Sequence, residues 1–153
     1  MLPAQTNGIV PAVFLDRDGT LIEDNGSLRS PTQVVFYIAT VPALRRLQKH
    51  FRLFIVTNQS GVAKGDLTLV EANQVNDYAV QWLQERGVEI AAVFCCPHRR
   101  EDNCACIKPK PHFLLHAAHW HGLDLHRSFV IGDHPHDVEL AHNAGATGIY
   151  VLT

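Results

Sequence analysis

The sequence predicts an α/β fold in which a parallel sheet is flanked by helices in three Rossmann-like layers. Short apolar runs of strand length alternate with segments of helical periodicity along all 153 residues. No repeat, low-complexity stretch or linker divides the chain, and its length suits a single domain with a full core. We therefore predict one domain that spans residues 1–153.

The individual elements follow from apolar runs, capping residues and glycine stops. Five strands are predicted at 12–15, 53–56, 91–94, 129–131 and 148–152. A first helix is predicted to begin near Pro42, with Thr40 as its N-cap. The longest helix is predicted at 68–87, where Thr68 and Glu71 have capping-box spacing and Gly87 is a stop signal. Two more helices are predicted at 111–122 and 137–145.

Charge and composition limit the classes of partner. The formal net charge is -2, whereas binding to nucleic acid or a membrane surface usually requires a basic excess. No apolar run approaches the length of a membrane span, and residues 1–8 lack the features of a signal peptide. We expect a cytoplasmic protein that acts on a small molecule, with no nucleic acid or membrane as partner. The oligomeric state stays open, and a monomer is compatible with the chain.

Two aspartates follow the first predicted strand at the point where it ends. Asp16 and Asp18 are two residues apart and therefore leave the strand on the same side, while Arg17 is expected to point away. Gly19 allows a sharp turn behind them. Converging carboxylates suit Mg²⁺ binding and attack on phosphorus, although an acidic turn is the alternative explanation.

Further polar residues follow the other predicted strands. Because ligands of open α/β sheets bind beyond the carboxyl ends of the strands, their positions favour one shared site. Each has a simpler explanation by itself, as a loop, a helix cap or a solvated charge. The residues are Thr57, Asn58, Gln59 and Ser60 after the second strand, Lys108 before the third helix, and Asp133 with Asp137 after the fourth strand.

Three cysteines and a histidine lie within eleven residues. Cys96, His98, Cys104 and Cys106 have the residue types and spacing of a closed tetrahedral zinc site, which would be structural. Disulfides are disfavoured in a cytosolic protein, and a reactive thiol does not need four clustered ligands. Cys95 is predicted to be the spare thiol, because adjacent residues of a strand point in opposite directions.

The order of these segments resembles the haloacid dehalogenase-like phosphohydrolase superfamily over nearly the whole chain. The matching segments are Asp16-Arg-Asp-Gly-Thr20, Thr57, Lys108, and Gly132-Asp133 with Asp137. The resemblance implies a phosphatase in which Asp16 forms an aspartyl-phosphate and Asp18 is the general acid and base. It also implies that Thr57 and Lys108 bind the phosphoryl group, with Asp137 in support. Catalytic Mg²⁺ would be held by Asp16, the Asp18 backbone carbonyl and Asp133.

The loop of residues 96–106, called the zinc loop below, precedes Lys108 and resembles that of a narrower group, the D-glycero-D-manno-heptose 1,7-bisphosphate phosphatases and the related histidinol-phosphate phosphatases. Members of this group lack a large cap domain, so the resemblance implies a capless fold. Ser60 matches the residue of the heptose enzymes, whereas the histidinol enzymes typically have aspartate at this position. Histidinol phosphate is therefore the second choice of substrate. The resemblance implies substrate contacts from two loops and from the residue before the lysine. The residues concerned are Asp24, Asn25, Gly26, Ser27, Asn58, Gln59, Ser60 and Ile107.

Two residues depart from the pattern of this group and remove positive charge. Ile107 replaces an arginine and cannot donate to a phosphate, and His134 replaces a lysine or arginine after Asp133. A non-catalytic zinc-stabilised binding protein on the same fold remains an alternative, and a DNA 3′-phosphatase is disfavoured by the negative charge. His112, His116 and His119 have helical spacing, and we expect them to form a solvated helix face.

Overall fold

The computed structural model describes residues 9–153. Residues 1–8, which were predicted not to form a signal peptide, lie outside the described part. Five strands alternate with helices, as predicted. The strands are β1 (Ala12–Leu15), β2 (Arg52–Asn58), β3 (Ile90–Cys96), β4 (Phe129–Gly132) and β5 (Thr147–Tyr150). The helices are α1 (Thr40–Leu47), α2 (Gly61–Lys64), α3 (Leu69–Gln84), α4 (His112–His121) and α5 (Pro135–Ala144). None of the described helices is long and apolar enough to span a membrane.

The five strands form one parallel sheet in the order β3-β2-β1-β4-β5. The chain adds strands on one side of β1 and then returns to its other side with β4. Because all strands are parallel, their carboxyl ends meet at one edge of the sheet. The reversal beside β1 is the position at which open α/β sheets bind ligands.

The core consists of two apolar layers, one on each face of the sheet. Val13 and Leu15 of β1 pack on one face with residues of α1 and α3, including Leu44 and Leu83. Phe14, the residue between them, packs on the opposite face with residues of α4 and α5. The alternation along β1 places helices on both sides of the sheet, which confirms the three-layer prediction.

Several predicted bounds differ from the observed ones. Thr40 was predicted to cap α1, but it is the first residue of that helix, and its hydroxyl donates to the Leu21 carbonyl over 2.7 Å. The capping box of Thr68 and Glu71 is present, whereas α3 ends at Gln84, before the predicted stop. Helix α5 begins at Pro135 instead of residue 137, because the Pro135 ring suits the first helical turn. The prediction missed α2, a single turn.

Candidate active site

A cavity of about 210 Å³ opens at the carboxyl edge of the sheet. It is lined by side chains from the ends of β1 and β2, from the loop after β1, and from the segment that enters α5. Because Asp16 and Lys108 lie 92 residues apart in sequence, only the parallel sheet brings them together. The lining residues are Asp16, Asp18, Asp24, Gly26, Ser27, Thr57, Asn58, Gln59, Ser60, Gly61, Lys108, His134 and His136.

Lys108 joins two carboxylates at the base of the cavity. Its Nζ donates to Asp16 Oδ1 and to Asp137 Oδ1, each over 2.8 Å, and to the Val56 carbonyl over 3.0 Å. Burial alone would raise the pKa of Asp16, but the Lys108 charge and hydrogen bonds outweigh it and hold that pKa below its ordinary value. Burial likewise opposes the charge on Lys108, and the two carboxylates raise its pKa above the usual range. Lys108 therefore favours the ionised form of Asp16 at the cavity.

The side chain of Arg17 differs from the prediction that it points away from Asp18. It does not line the cavity, but its guanidinium turns back and contacts the carboxylate of the neighbouring residue. Nε donates to Asp18 Oδ1 over 2.9 Å, and Nη2 donates to Asp18 Oδ2 over 3.0 Å. Sequence periodicity missed this pair, because the strand has already ended and the alternation of side chains ends with it.

Asp133 completes a carboxylate cluster next to Asp16. Suitable oxygens of Asp16, Asp133 and Asp137 all lie within 4.8 Å of one another. Burial, together with the hydrogen bond and charge of Asp16, raises the pKa of Asp133 to about 6. Gly19 has a φ of +81°, and a Cβ at this position would collide with the Asp133 carboxylate. The predicted glycine turn therefore both bends the chain and leaves room for the cluster.

The β2 end contributes neutral hydrogen-bonding groups. Thr57 is buried, and its Oγ1 accepts a hydrogen bond from Gln59 Nε2 over 2.8 Å. Gln59 also donates to Asp18 Oδ2 over 3.0 Å. Asn58 Oδ1 accepts from the Lys108 backbone N–H over 3.2 Å and so ties the β2 end to the segment that carries the lysine.

The predicted substrate-contact residues do not all reach the cavity. Asn25 and Ile107 are not among its lining residues, and Ile107 is only 6% exposed. His134 lines the cavity together with His136, which was not among the predicted site residues. Their rings stack with centroids 4.9 Å apart. The signal for His136 was its place two residues after His134, just inside the helix that follows β4.

The cysteines and histidine of the predicted zinc loop converge. Cys96 Sγ lies 3.6 Å from Cys104 Sγ and 3.0 Å from Cys106 Sγ, and the Cys104 and Cys106 sulfurs are 3.8 Å apart. His98 Nδ1 lies 3.5 Å from Cys96 Sγ and 3.4 Å from Cys106 Sγ. In a tetrahedral site with Zn–S bonds of about 2.3 Å, sulfur atoms lie about 3.8 Å apart. The four donors therefore have nearly the spacing that zinc requires.

The electrostatics of the loop favour a thiolate at one ligand. Burial opposes ionisation of Cys104, but backbone N–H groups of Cys106 and Ile107 outweigh it and lower its pKa to about 7. Burial and neighbouring thiols raise the pKa of Cys96. A divalent cation would reverse that effect, because metal-bound thiols are deprotonated.

Cys95 and Lys110 have no part in either cluster of ligands. Cys95 is not one of the four side chains that could hold a metal ion, and burial raises the pKa of its thiol. Lys110 Nζ donates to the Cys104 carbonyl and to Asn103 Oδ1, so it braces the zinc loop and does not face the carboxylates. Three histidines of α4 are exposed, as expected of a solvated face: His112, His116 and His119.

Comparisons with known proteins agree with this geometry. Residues 105–153 match the family model Hydrolase_like, described as HAD-hydrolase-like. The chain is 36% identical over 144 residues to a D-glycero-beta-D-manno-heptose-1,7-bisphosphate 7-phosphatase of Helicobacter pylori, a match that covers 93% of this chain and 83% of the relative. It is 35% identical over 138 residues to the histidine biosynthesis bifunctional protein HisB of Actinobacillus pleuropneumoniae, which covers 88% of this chain and 38% of that protein.

A solved structure supports the same similarity. The D,D-heptose 1,7-bisphosphate phosphatase from B. bronchiseptica, complexed with magnesium and phosphate, superimposes with a TM-score of 0.83 and 31% identity. The superposition covers 91% of this chain and 79% of that chain. Sequence and fold are therefore similar to the same group of enzymes along nearly the full length.

Proposed function

The chain belongs to the HAD-like hydrolases and is a phosphoric monoester hydrolase, and we propose that it dephosphorylates a sugar phosphate through an aspartyl-phosphate on Asp16. The observation that carries this proposal is the buried triad at the cavity base. Lys108 contacts both Asp16 and Asp137 over 2.8 Å. A carboxylate that is ionised, held at the end of a strand and open to a cavity is suited to attack phosphorus.

The proposed reaction has two steps, and each uses Asp18 at the same position. In the first step an Asp16 carboxylate oxygen attacks phosphorus, the ester P–O bond breaks, and the leaving oxygen takes a proton from the Asp18 carboxyl. In the second step water attacks phosphorus while Asp18 takes its proton, and the bond between Asp16 and phosphorus breaks. Lys108 and the Thr57 hydroxyl stabilise the charge on the phosphoryl oxygens.

Asp16, Asp133 and the Asp18 backbone carbonyl are the proposed ligands of Mg²⁺. The close approach of Asp16 and Asp133, together with the raised pKa of Asp133, indicates unbalanced negative charge that a hard divalent cation would neutralise. Oxygen ligands of this kind are those that Mg²⁺ prefers. When bound, the ion would supply positive charge beside the transferred phosphoryl group.

Cys96, His98, Cys104 and Cys106 are the proposed ligands of a structural zinc ion. All four positions of a tetrahedral site would be filled by protein, which leaves none for substrate. The loop leads directly into Lys108. We therefore assign to zinc the role of ordering the backbone that positions the lysine.

The preferred substrate is proposed to be D-glycero-D-manno-heptose 1,7-bisphosphate, the substrate named for the similar enzymes. The cavity suits a small metabolite, because its volume of about 210 Å³ holds a phosphoryl group and part of a sugar. Asp24, Ser27 and Ser60 line it and offer polar groups to sugar hydroxyls. Histidinol phosphate is the second candidate, which the similarity to HisB supports.

A turnover panel with Mg²⁺ tests the proposal. We expect p-nitrophenyl phosphate to be hydrolysed, and the heptose bisphosphate to have a higher kcat/KM than histidinol phosphate. No turnover of any phosphate ester would favour a binding protein on this fold. Strong turnover of histidinol phosphate with none of the heptose would replace the preferred substrate. Asp16→Asn is the matched control for contaminating phosphatase.

A further inference from the structure

Arg17 is the largest charged side chain buried beside the cavity, and the reaction described above gives it no role. Arg17 is only 1% exposed. Because a guanidinium group is rarely buried without partners, its hydrogen bonds indicate what holds it there. Its partners lie on two sides, because Nη1 donates to Asn76 Oδ1 over 2.7 Å and the other edge contacts Asp18. Asn76 is itself a buried polar residue of α3, and this hydrogen bond satisfies its amide oxygen.

The contact with Asp18 determines the orientation of the carboxylate as well as its position. Two parallel N–H···O bonds of 2.9 and 3.0 Å form a bidentate pair, which fixes the carboxylate plane. Asn76 in turn holds the guanidinium from the side of α3. A lysine at position 17 would keep the charge, but it could not form this fork and reach Asn76 in the same geometry.

The hydrogen bonds also distinguish the two carboxylate oxygens. Oδ2 accepts from Arg17 and from Gln59 Nε2, whereas Oδ1 accepts from Arg17 alone. Each oxygen of an ionised carboxylate has about two acceptor sites. Oδ1 of Asp18 therefore keeps one acceptor site without a described hydrogen bond, and the Asp18 side chain lines the cavity.

We propose that Arg17 is a positioning residue for the general acid and base, holding Asp18 so that Oδ1 exchanges the proton with the leaving oxygen and the attacking water. The inference rests on the proposed function. Arg17 itself does not touch the substrate and acts through Asp18. Its loss should therefore affect proton transfer more than phosphate binding.

The test compares two aryl phosphates that differ mainly in the need for a proton at the leaving oxygen. p-Nitrophenol leaves readily as an anion, whereas phenol is a much poorer leaving group. In Arg17→Lys with Mg²⁺, we expect kcat/KM for phenyl phosphate to fall about tenfold more than kcat/KM for p-nitrophenyl phosphate. This is a fraction of the rate acceleration of about 10²–10⁴-fold that general acids contribute, because Asp18 itself is still present. The inhibition constant of inorganic phosphate should stay within about twofold of wild type, since the phosphate contacts remain.

Two further variants make the result specific. Asn76→Ser keeps the charges of Arg17 and Asp18 and removes the hydrogen bond that holds the guanidinium from α3. Its kcat/KM for phenyl phosphate should again fall more than that for p-nitrophenyl phosphate, but by a smaller factor than in Arg17→Lys. Arg127→Lys is the matched control, because Arg127 forms an exposed ion pair with Asp124 over 2.7 Å outside the cavity. It should leave both rates unchanged.

The outcomes separate this inference from the proposed function. Equal losses for the two substrates in Arg17→Lys and in Asn76→Ser would overturn the positioning role while leaving the phosphatase assignment intact. If Arg17→Lys fails to fold, as judged by circular dichroism, Asn76→Ser decides the question by the same ratio. A wild-type protein that hydrolyses neither aryl phosphate would refute the proposed function and this inference with it.

Discussion

Replacing Lys108 by methionine should both destabilise the protein and strongly lower its turnover. The lysine is 1% exposed, and Asp137 is 0% exposed. Without the ammonium group, Asp137 keeps one described hydrogen bond, from the His134 backbone N–H over 3.2 Å. Methionine fills most of the volume, so the change isolates the loss of charge from the creation of a cavity.

The magnitude follows from the charge that is left behind. Breaking a buried ion pair by removal of one partner costs about 3–5 kcal/mol, because the other charge stays desolvated. Asp16 adds less to this cost than Asp137, since it faces the cavity and is 7% exposed. Because Lys108 is the proposed donor to the phosphoryl oxygens, its loss should lower kcat by about 10²–10³ or more.

Urea unfolding followed by tryptophan fluorescence measures the change in stability. We expect the free energy of unfolding of Lys108→Met to fall by about 3–5 kcal/mol, and that of the exposed control Lys49→Met to stay unchanged. Adding Asp137→Asn to Lys108→Met should recover part of the loss, because the unpaired charge is gone. A loss below about 1 kcal/mol, in the range of surface pairs, would refute the reasoning.

The remaining predictions concern the nucleophile, the zinc loop and one glycine. Asp16→Asn should abolish hydrolysis of p-nitrophenyl phosphate while circular dichroism and zinc content stay unchanged; substantial residual turnover in purified protein would contradict the mechanism. Elemental analysis should find one zinc per chain in wild type and in Cys95→Ser, and much less in Cys104→Ser; the reverse order would exchange the ligands. Gly132→Ala should lower the melting temperature, because a Cβ there would collide with the Asp137 carboxylate; an unchanged melting temperature would show that Asp137 can move.

Features that depend on local periodicity were predictable from the sequence. The continuous apolar run of β1 fits a short strand with both faces buried, and the observed bounds of 12–15 agree with the prediction. Because parallel strands end at one edge, the positions of Asp16, Thr57 and Asp133 in the sequence were enough to predict one shared site. The convergence of the four proposed zinc ligands was predictable for another reason, because all four lie within eleven residues.

Features that depend on the direction of a side chain after its strand or helix has ended required the tertiary structure. Arg17 was expected to turn away from Asp18, but the buried amide of Asn76, 59 residues later, holds it against that carboxylate. Ile107 was expected at the substrate, yet the path of the zinc loop buries it away from the cavity. His136 lines the cavity from the first turn of α5, which begins at Pro135 and not at the predicted residue 137. Local sequence determines where a strand ends, whereas long-range packing decides which groups meet beyond that end.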